Sequence, residues 1–123
     1  MLKHEEEEVV SRSFLFNMPP KVSNIFDPRP DGEAGEQVFP LIQSDDFRLE
    51  SIVSHGQPTE LGFWYDQPRP EWVLLTQGKA TLRFVGERIV ELRSGDFLLI
   101  PAHAKHRVDS CSEDARWLAL HFR

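Results

Sequence analysis

The sequence predicts an all-β protein, built as a single sandwich or barrel of short strands. Apolar and polar side chains alternate from Lys79 to Val85, as expected for a strand with one buried face. Turn residues separate the β-like runs, at Gln77-Gly78, at Gly86-Glu87 and at Ser94-Gly95-Asp96. After Val38, no window of roughly 11 to 18 residues carries a helical apolar stripe.

The candidate strands follow one another from Val38 to the end of the chain. The β-like runs are residues 47–55, 61–65, 71–76, 79–85, 88–92, 97–100, 106–108 and 115–122. Pro101 ends the run before it, because proline cannot donate a ladder hydrogen bond. Short strands at this spacing are typical of β-sandwiches and barrels.

The N-terminal residues differ from the rest of the chain. Glu5–Glu8 is a block of like charge, and Asp27-Pro28-Arg29-Pro30-Asp31-Gly32 is dense in turn residues. We therefore predict an extended N-terminal arm over residues 1–37 and a barrel domain over residues 38–123. The arm is expected to be ordered only where it lies on the domain or on a partner subunit, and Met18 is a second possible natural start.

Composition excludes several classes of partner. The 123 residues carry 14 Lys and Arg against 20 Asp and Glu, a formal net charge of −6. An acidic chain without a basic cluster argues against nucleic acid and anionic membranes as partners. No apolar run approaches the length of a membrane span, and residues 1–8 contain no signal-peptide core. The single cysteine, Cys111, cannot form an internal disulfide, so a reducing cytoplasm is the expected compartment.

Two segments carry the residues that suggest chemistry. In the first, six residues separate Glu71 from the turn glycine Gly78; in the second, Gly95 and Pro101 precede His106. Both segments lie on β-runs that flank hairpins, so the two can be neighbours in space. Inside a barrel, Glu71 and His106 are candidates for general acid and base catalysis, because imidazole titrates near neutral pH.

The spacing of these residues resembles that of the cupin superfamily. Five residues separate Gly95 from Pro101, and His106 stands where the second cupin motif has its histidine. The first motif is matched from Glu71 to Gly78, whereas Tyr65 and Gln67 stand where it has two histidines. The resemblance covers about residues 47–122, and it implies a cupin-like double-stranded β-helix, or jelly-roll, barrel. It also implies oxygenase, isomerase or lyase chemistry on a small polar substrate.

The resemblance further implies a metal in the barrel mouth. A mixed imidazole and carboxylate site suits a divalent transition metal such as Fe, Mn, Ni, Cu or Zn. Here the expected ligands are Glu71 and His106, with Gln67 or His55 completing the set. His55 would point inward if Leu49 and Val53 form the core face of their strand.

Other pocket residues follow from strand alternation. Tyr65 and Gln67 are two residues apart and can reach the same point, and His121 is expected inside on the last strand. These three are the candidate substrate contacts. If the motif has four residues rather than three between its second histidine position and Glu71, Trp64 and Asp66 would point inward instead of Tyr65 and Gln67.

Three functional hypotheses remain open. The first is a metal-dependent binding protein or enzyme that acts on a small molecule. The second is a metal-free cupin that binds or senses a small molecule, which the missing histidine pair favours. The third is a structural role in which the polar groups only satisfy one another.

A homodimer is expected, in which Val9–Phe16 adds a strand to the partner's sheet and protects an edge.

Overall fold

The computed structural model describes residues 19–27 and 36–123. The chain divides into two units, residues 1–30 and 31–123. In the first unit, residues 19–27 form irregular backbone with a turn, where the Asn24 side-chain oxygen accepts the Phe26 amide at 2.7 Å. The predicted arm strand Val9–Phe16 lies outside the described residues, so the proposed strand exchange stays a prediction.

The second unit is all-β, as the sequence predicts. Its described residues form these strands: β1 (Gln37–Gln43), β2 (Phe47–Val53), β3 (Glu71–Gln77), β4 (Lys79–Phe84), β5 (Arg88–Arg93), β6 (Phe97–Ile100), β7 (His106–Cys111) and β8 (Arg116–Phe122). No helix among the described residues is long and apolar enough to cross a membrane.

The strands form two antiparallel sheets. One has the order β1-β2-β8-β3-β6 and the other has the order β5-β4-β7. Strands distant in sequence are therefore neighbours: β8 lies between β2 and β3, and β7 pairs with β4. This is the jelly-roll arrangement that the sequence resemblance implies.

Two details of the strand prediction differ from the structure. The apolar run 61–65 is not a strand, and only Tyr65 forms an isolated bridge, to His106. Leu61 is 91% exposed, so this apolar run does not pack into a sheet. Conversely, the sequence does not predict β1 as a separate strand. Pro40 and the register shift beside it interrupt the alternation of apolar and polar residues.

The core lies between the inner faces of the two sheets. Its buried members are Val73, Leu75, Ala80, Leu82, Phe84, Leu92, Ile100, Ala115, Trp117 and Ala119. The alternation along β3 and β4 explains the pattern, since every second side chain of these strands is buried. The inner face of β3 changes character along its length, from Glu71 at one end to Leu75 at the other. One end of the barrel is therefore filled with apolar side chains, and the other end carries charge.

Candidate active site

Strand register places three charged or titratable side chains in one row. On β8, His121 pairs with Glu71 of β3 on one side and with Arg48 of β2 on the other. Directly paired residues of antiparallel strands project to the same face of the sheet. Arg48, His121 and Glu71 therefore form a transverse row at one end of the five-stranded sheet.

His106 joins this row from the other sheet. Its Nε2 lies 3.9 Å from Glu71 Oε1. Its Nδ1 lies 2.8 Å from the backbone oxygen of Ala104. A carbonyl oxygen only accepts, so Nδ1 donates and carries a hydrogen. The Nε2 of a neutral His106 then has a lone pair turned toward the cavity and the Glu71 carboxylate.

The loop before β3 holds His106 in place. Two backbone hydrogen bonds join it to Tyr65: the Tyr65 amide donates to the His106 oxygen at 2.8 Å, and the His106 amide donates back at 3.1 Å. The two rings stack with their centroids 5.6 Å apart. Phe84 covers the imidazole from β4, with a centroid distance of 5.7 Å. The imidazole is thus fixed by both backbone and ring contacts.

Glu50 extends the polar cluster on the other side of His121. His121 Nε2 lies 2.9 Å from Glu50 Oε1 and 3.6 Å from Glu71 Oε2. Arg48 Nε donates to Glu50 Oε2 at 2.9 Å. Glu50, Glu71, His106 and His121 are all buried, each less than 10% exposed. A polar network therefore runs through hydrogen bonds from Arg48 to Glu50 and His121, and then through longer charge contacts from His121 to Glu71 and from Glu71 to His106.

The network faces a cavity of about 210 Å³. The polar lining consists of Glu36, Arg48, Glu50, Tyr65, Gln67, Glu71, His106 and His121, and the apolar lining of Val38, Ile52, Val73, Leu82, Ile100, Val108 and Trp117. A concave pocket with apolar walls and convergent polar groups is a usual form of a metabolite site, and here the polar residues make up about half of the lining.

Burial sets the electrostatics of the cavity. It raises the pKa of Glu71 above the ordinary value of 4.5, against the opposing effect of His121 and His106. Burial also raises the pKa of Glu36, and the nearby Glu71 and Glu50 carboxylates raise it further. The pKa of Tyr65 is raised from 10.0 by burial and then by Glu36 and Glu71, so its phenol remains a hydrogen-bond donor at neutral pH. Carboxylates with raised pKa values in a cavity are suited to proton transfer.

The structure brings together most of the residues that the sequence singled out. Glu71, His106, Tyr65, Gln67 and His121 all line the cavity. The shorter motif spacing is the one realised, because Asp66 is instead exposed and its Oδ1 lies 2.8 Å from His103 Nδ1.

His55 is placed elsewhere. It is exposed, lies beyond the end of β2 at Val53, and does not line the cavity. The assumption that Leu49 and Val53 form the pocket face of β2 was wrong, since Arg48, Glu50 and Ile52 line the cavity. The alternation in β2 is hard to read because Glu50, Ser51 and Val53 are all buried, and these residues include both faces of the strand.

Sequence reasoning missed Glu36, Arg48 and Glu50. The one available signal was the Arg48-Leu49-Glu50 alternation in β2, which becomes informative only when β2 is known to pair with β8. Glu36 immediately precedes β1 and carried no recognisable motif.

A metal ion fits these side chains poorly as they are arranged. Within residues 19–27 and 36–123, no group of three or more His, Cys, Asp or Glu side chains forms a set that could hold one. His121 Nε2 already contacts Glu50, and Arg48 occupies the other oxygen of Glu50. A metal would have to displace the His121–Glu50 contact. Tyr65 and Gln67 are also weaker donors than the imidazoles of a complete cupin motif.

Comparison with known proteins agrees with this architecture. The family model described as "Cupin domain" matches residues 53–121. A structure from Ralstonia eutropha JMP134, provisionally described as a mannose-6-phosphate isomerase, is 39% identical and covers 84% of this chain and 98% of its own, with a TM-score of 0.78. No curated protein matches the chain.

Two further solved structures share the fold at low identity. An RmlC-like cupin protein from Desulfovibrio desulfuricans is 15% identical, with a TM-score of 0.66 over 85% of this chain and 97% of its own. A cupin superfamily protein from Desulfitobacterium hafniense DCB-2 is 18% identical, with a TM-score of 0.65 over 86% of this chain and 94% of its own. These two likenesses show the fold, and the family model, which matches more than half of the chain, shows that the chain belongs to the cupin family.

Proposed function

We propose that this protein is a small-molecule isomerase that moves a proton on a hydroxy-carbonyl substrate, with Glu71 as the acid–base group. The observation that carries the proposal is the placement of a buried carboxylate with a raised pKa between two histidines in a small cavity. The relative described provisionally as a mannose-6-phosphate isomerase supports the reaction class, because it is 39% identical over most of both chains.

Each part of the reaction has a candidate residue. Ionised Glu71 takes the proton from the carbon beside the substrate carbonyl, and the C–H electron pair forms the double bond of an enediol. Glu71 then returns the proton to the former carbonyl carbon. The hydroxyl on the first carbon gives its proton to His106, which had protonated the original carbonyl oxygen, and becomes the new carbonyl, so that both groups are restored. Protonated His106 donates from Nε2 to the carbonyl oxygen, and the Tyr65 hydroxyl is a second donor. His121 and Glu50 act as positioning residues, since they hold Glu71 from the side away from His106.

The test is solvent deuterium exchange. Wild-type protein in D₂O should incorporate deuterium at the carbon beside the carbonyl of mannose 6-phosphate, followed by NMR. Glu71→Gln should reduce the exchange rate by about 10² to 10⁴-fold. The matched control is Glu91→Gln, a change at an exposed carboxylate on β5 that does not line the cavity. Exchange that is absent from wild type, or undiminished in Glu71→Gln, would overturn the proposal.

Metal binding is the second candidate, and one observation favours it. The Nδ1 of His106 is fixed by Ala104, which leaves the Nε2 lone pair for a cation beside Glu71. Elemental analysis separates the two candidates. The isomerase proposal expects far less than one ion per chain and exchange that survives dialysis against a chelator. A stoichiometric transition metal, lost in Glu71→Ala and in His106→Ala, would establish the metal candidate instead.

A further inference from the structure

We propose that a cationic subsite at the mouth of the cavity binds the phosphate group of a small phosphorylated ligand. Its principal residues are Arg69 and Arg48. The inference rests on the proposed function for the reaction at the end of the ligand that enters the cavity. Charge and geometry support the phosphate subsite independently of that reaction.

A cleft of about 480 Å³ adjoins the cavity. It shares Arg48, Gln67 and His121 with the cavity lining, and it adds Arg69 and Asp45. Three residues border both spaces, so the cleft and the cavity are adjacent, and a ligand that occupied both would pass Arg48, Gln67 and His121. The network residues Arg48 and His121 therefore separate an inner compartment from an outer one.

The lining of the outer compartment has more guanidinium groups than carboxylates, within an acidic protein. Two guanidinium groups face one carboxylate, that of Asp45, in a chain of net charge −6. Arg48 uses Nε to donate to Glu50, and its side chain is 44% exposed, so its terminal nitrogens can serve a ligand. Arg69 is partly buried, and within the described part of the chain it forms no hydrogen bond or ion pair. Because this guanidinium has no protein partner there, it can donate to the oxygens of a ligand in the cleft without giving up an existing contact.

Charge also fixes the direction of the ligand. Glu36, Glu50 and Glu71 line the inner cavity and would repel an anion there. A phosphate group must therefore stay in the outer cleft, where planar guanidinium groups can bind its oxygens in pairs. The uncharged hydroxylated end then enters the cavity and reaches Glu71. An inner cavity of about 210 Å³ suits the carbon chain of a single monosaccharide.

The experiment compares three probes by calorimetry: inorganic phosphate, mannose 6-phosphate and mannose. Mannose 6-phosphate should bind wild-type protein at least about tenfold more tightly than mannose, and Arg69→Gln should remove about tenfold of that affinity. Affinity for mannose should change less than about twofold. Inorganic phosphate should bind wild type more tightly than Arg69→Gln. Arg93→Gln, a change at an exposed arginine on β5 outside the cleft, is the matched control.

The outcomes distinguish the two proposals. Equal affinity of wild type and Arg69→Gln for inorganic phosphate and for mannose 6-phosphate would overturn the subsite, whatever the exchange assay shows. Phosphate affinity that depends on Arg69, in a protein that exchanges no deuterium, would keep the subsite and reject the isomerase. Deuterium exchange that is equally fast with mannose and with mannose 6-phosphate would keep the isomerase and count against the subsite.

Discussion

The two ends of the barrel interior are built from the same strands but have opposite chemistry. On β3 and β8, Leu75 pairs with Trp117 at one end and Glu71 pairs with His121 at the other. All four residues are at most 7% exposed. The difference is therefore not one of burial. Burial stabilises the apolar end, whereas the polar end carries a desolvation cost that its hydrogen bonds and charge contacts must offset.

This contrast assigns stability to one end and chemistry to the other. Buried ionisable groups that the fold does not need for packing are candidates for function. Substitutions at the apolar end should act mainly on the free energy of unfolding. Substitutions at the polar end should act mainly on binding, exchange and pH dependence.

The largest expected stability effect is at Leu75. Leu75 is fully buried, and Leu75→Ala should lower the free energy of unfolding by about 2–5 kcal/mol, because a cavity remains. Leu61→Ala is the control at a residue that is 91% exposed, with an expected change within about 0.5 kcal/mol. Urea denaturation followed by tryptophan fluorescence measures both. Equal losses in the two variants would contradict the assignment of stability to the apolar end.

Most strands of this fold could be predicted from the sequence because their signals are local. The prediction for Phe97–Ile100 matches β6, and the alternation from Lys79 onward locates β4. The run 61–65 was misassigned because apolar character alone does not show whether a segment finds a strand partner. The jelly-roll architecture came from the family resemblance, and the order of the strands within the sheets appears only in the structure, since local alternation says nothing about which distant strand is a neighbour.

The candidate site was predictable only in part for the same reason. Glu71 and His106 stood out through the spacing of turn residues around them, and they lie 3.9 Å apart. No such spacing of turn residues marks Glu50, and its contact with His121 joins residues 71 positions apart in the sequence. Contacts that depend on the β2–β8 register appear only when the sheet is assembled.

A glycine pair tests how tightly the apolar end is closed. Gly78 and Gly86 both have positive φ values, of 93° and 92°, so an alanine at either position suffers similar backbone strain, about 1–2 kcal/mol. A Cβ at Gly78 would meet Ser112 Oγ and would lie 2.9 Å from Ala115 Cα, whereas a Cβ at Gly86 has nothing within 4 Å. Gly78→Ala should therefore cost about 1–3 kcal/mol more than Gly86→Ala in thermal or urea unfolding. Equal costs would mean that the Ser112–Ala115 turn yields without resistance.

The smallest expected effect on stability is a pH dependence that arises from Glu71 at the polar end. Burial raises the pKa of Glu71 in the folded protein above its ordinary 4.5, so the folded state favours the protonated carboxyl. As pH rises through 4.5 and then through the raised pKa, the folded protein loses stability relative to the unfolded chain. Glu71→Gln lacks this titration. Its stability relative to wild type should rise across that interval and then level off, as measured by urea unfolding between acidic and neutral pH.

Glu36→Gln separates this effect from that of the neighbouring carboxyl. The pKa of Glu36 is raised as well, so the change in Glu36→Gln should have the same sign but should leave deuterium exchange in place. The opposite trend for Glu71→Gln, a stability advantage that falls with rising pH, would mean that His106 and His121 lower the pKa of Glu71 more than burial raises it. Glu71 would then be the fixed anion of an imidazolium pair, and the acid–base role would pass to the histidines.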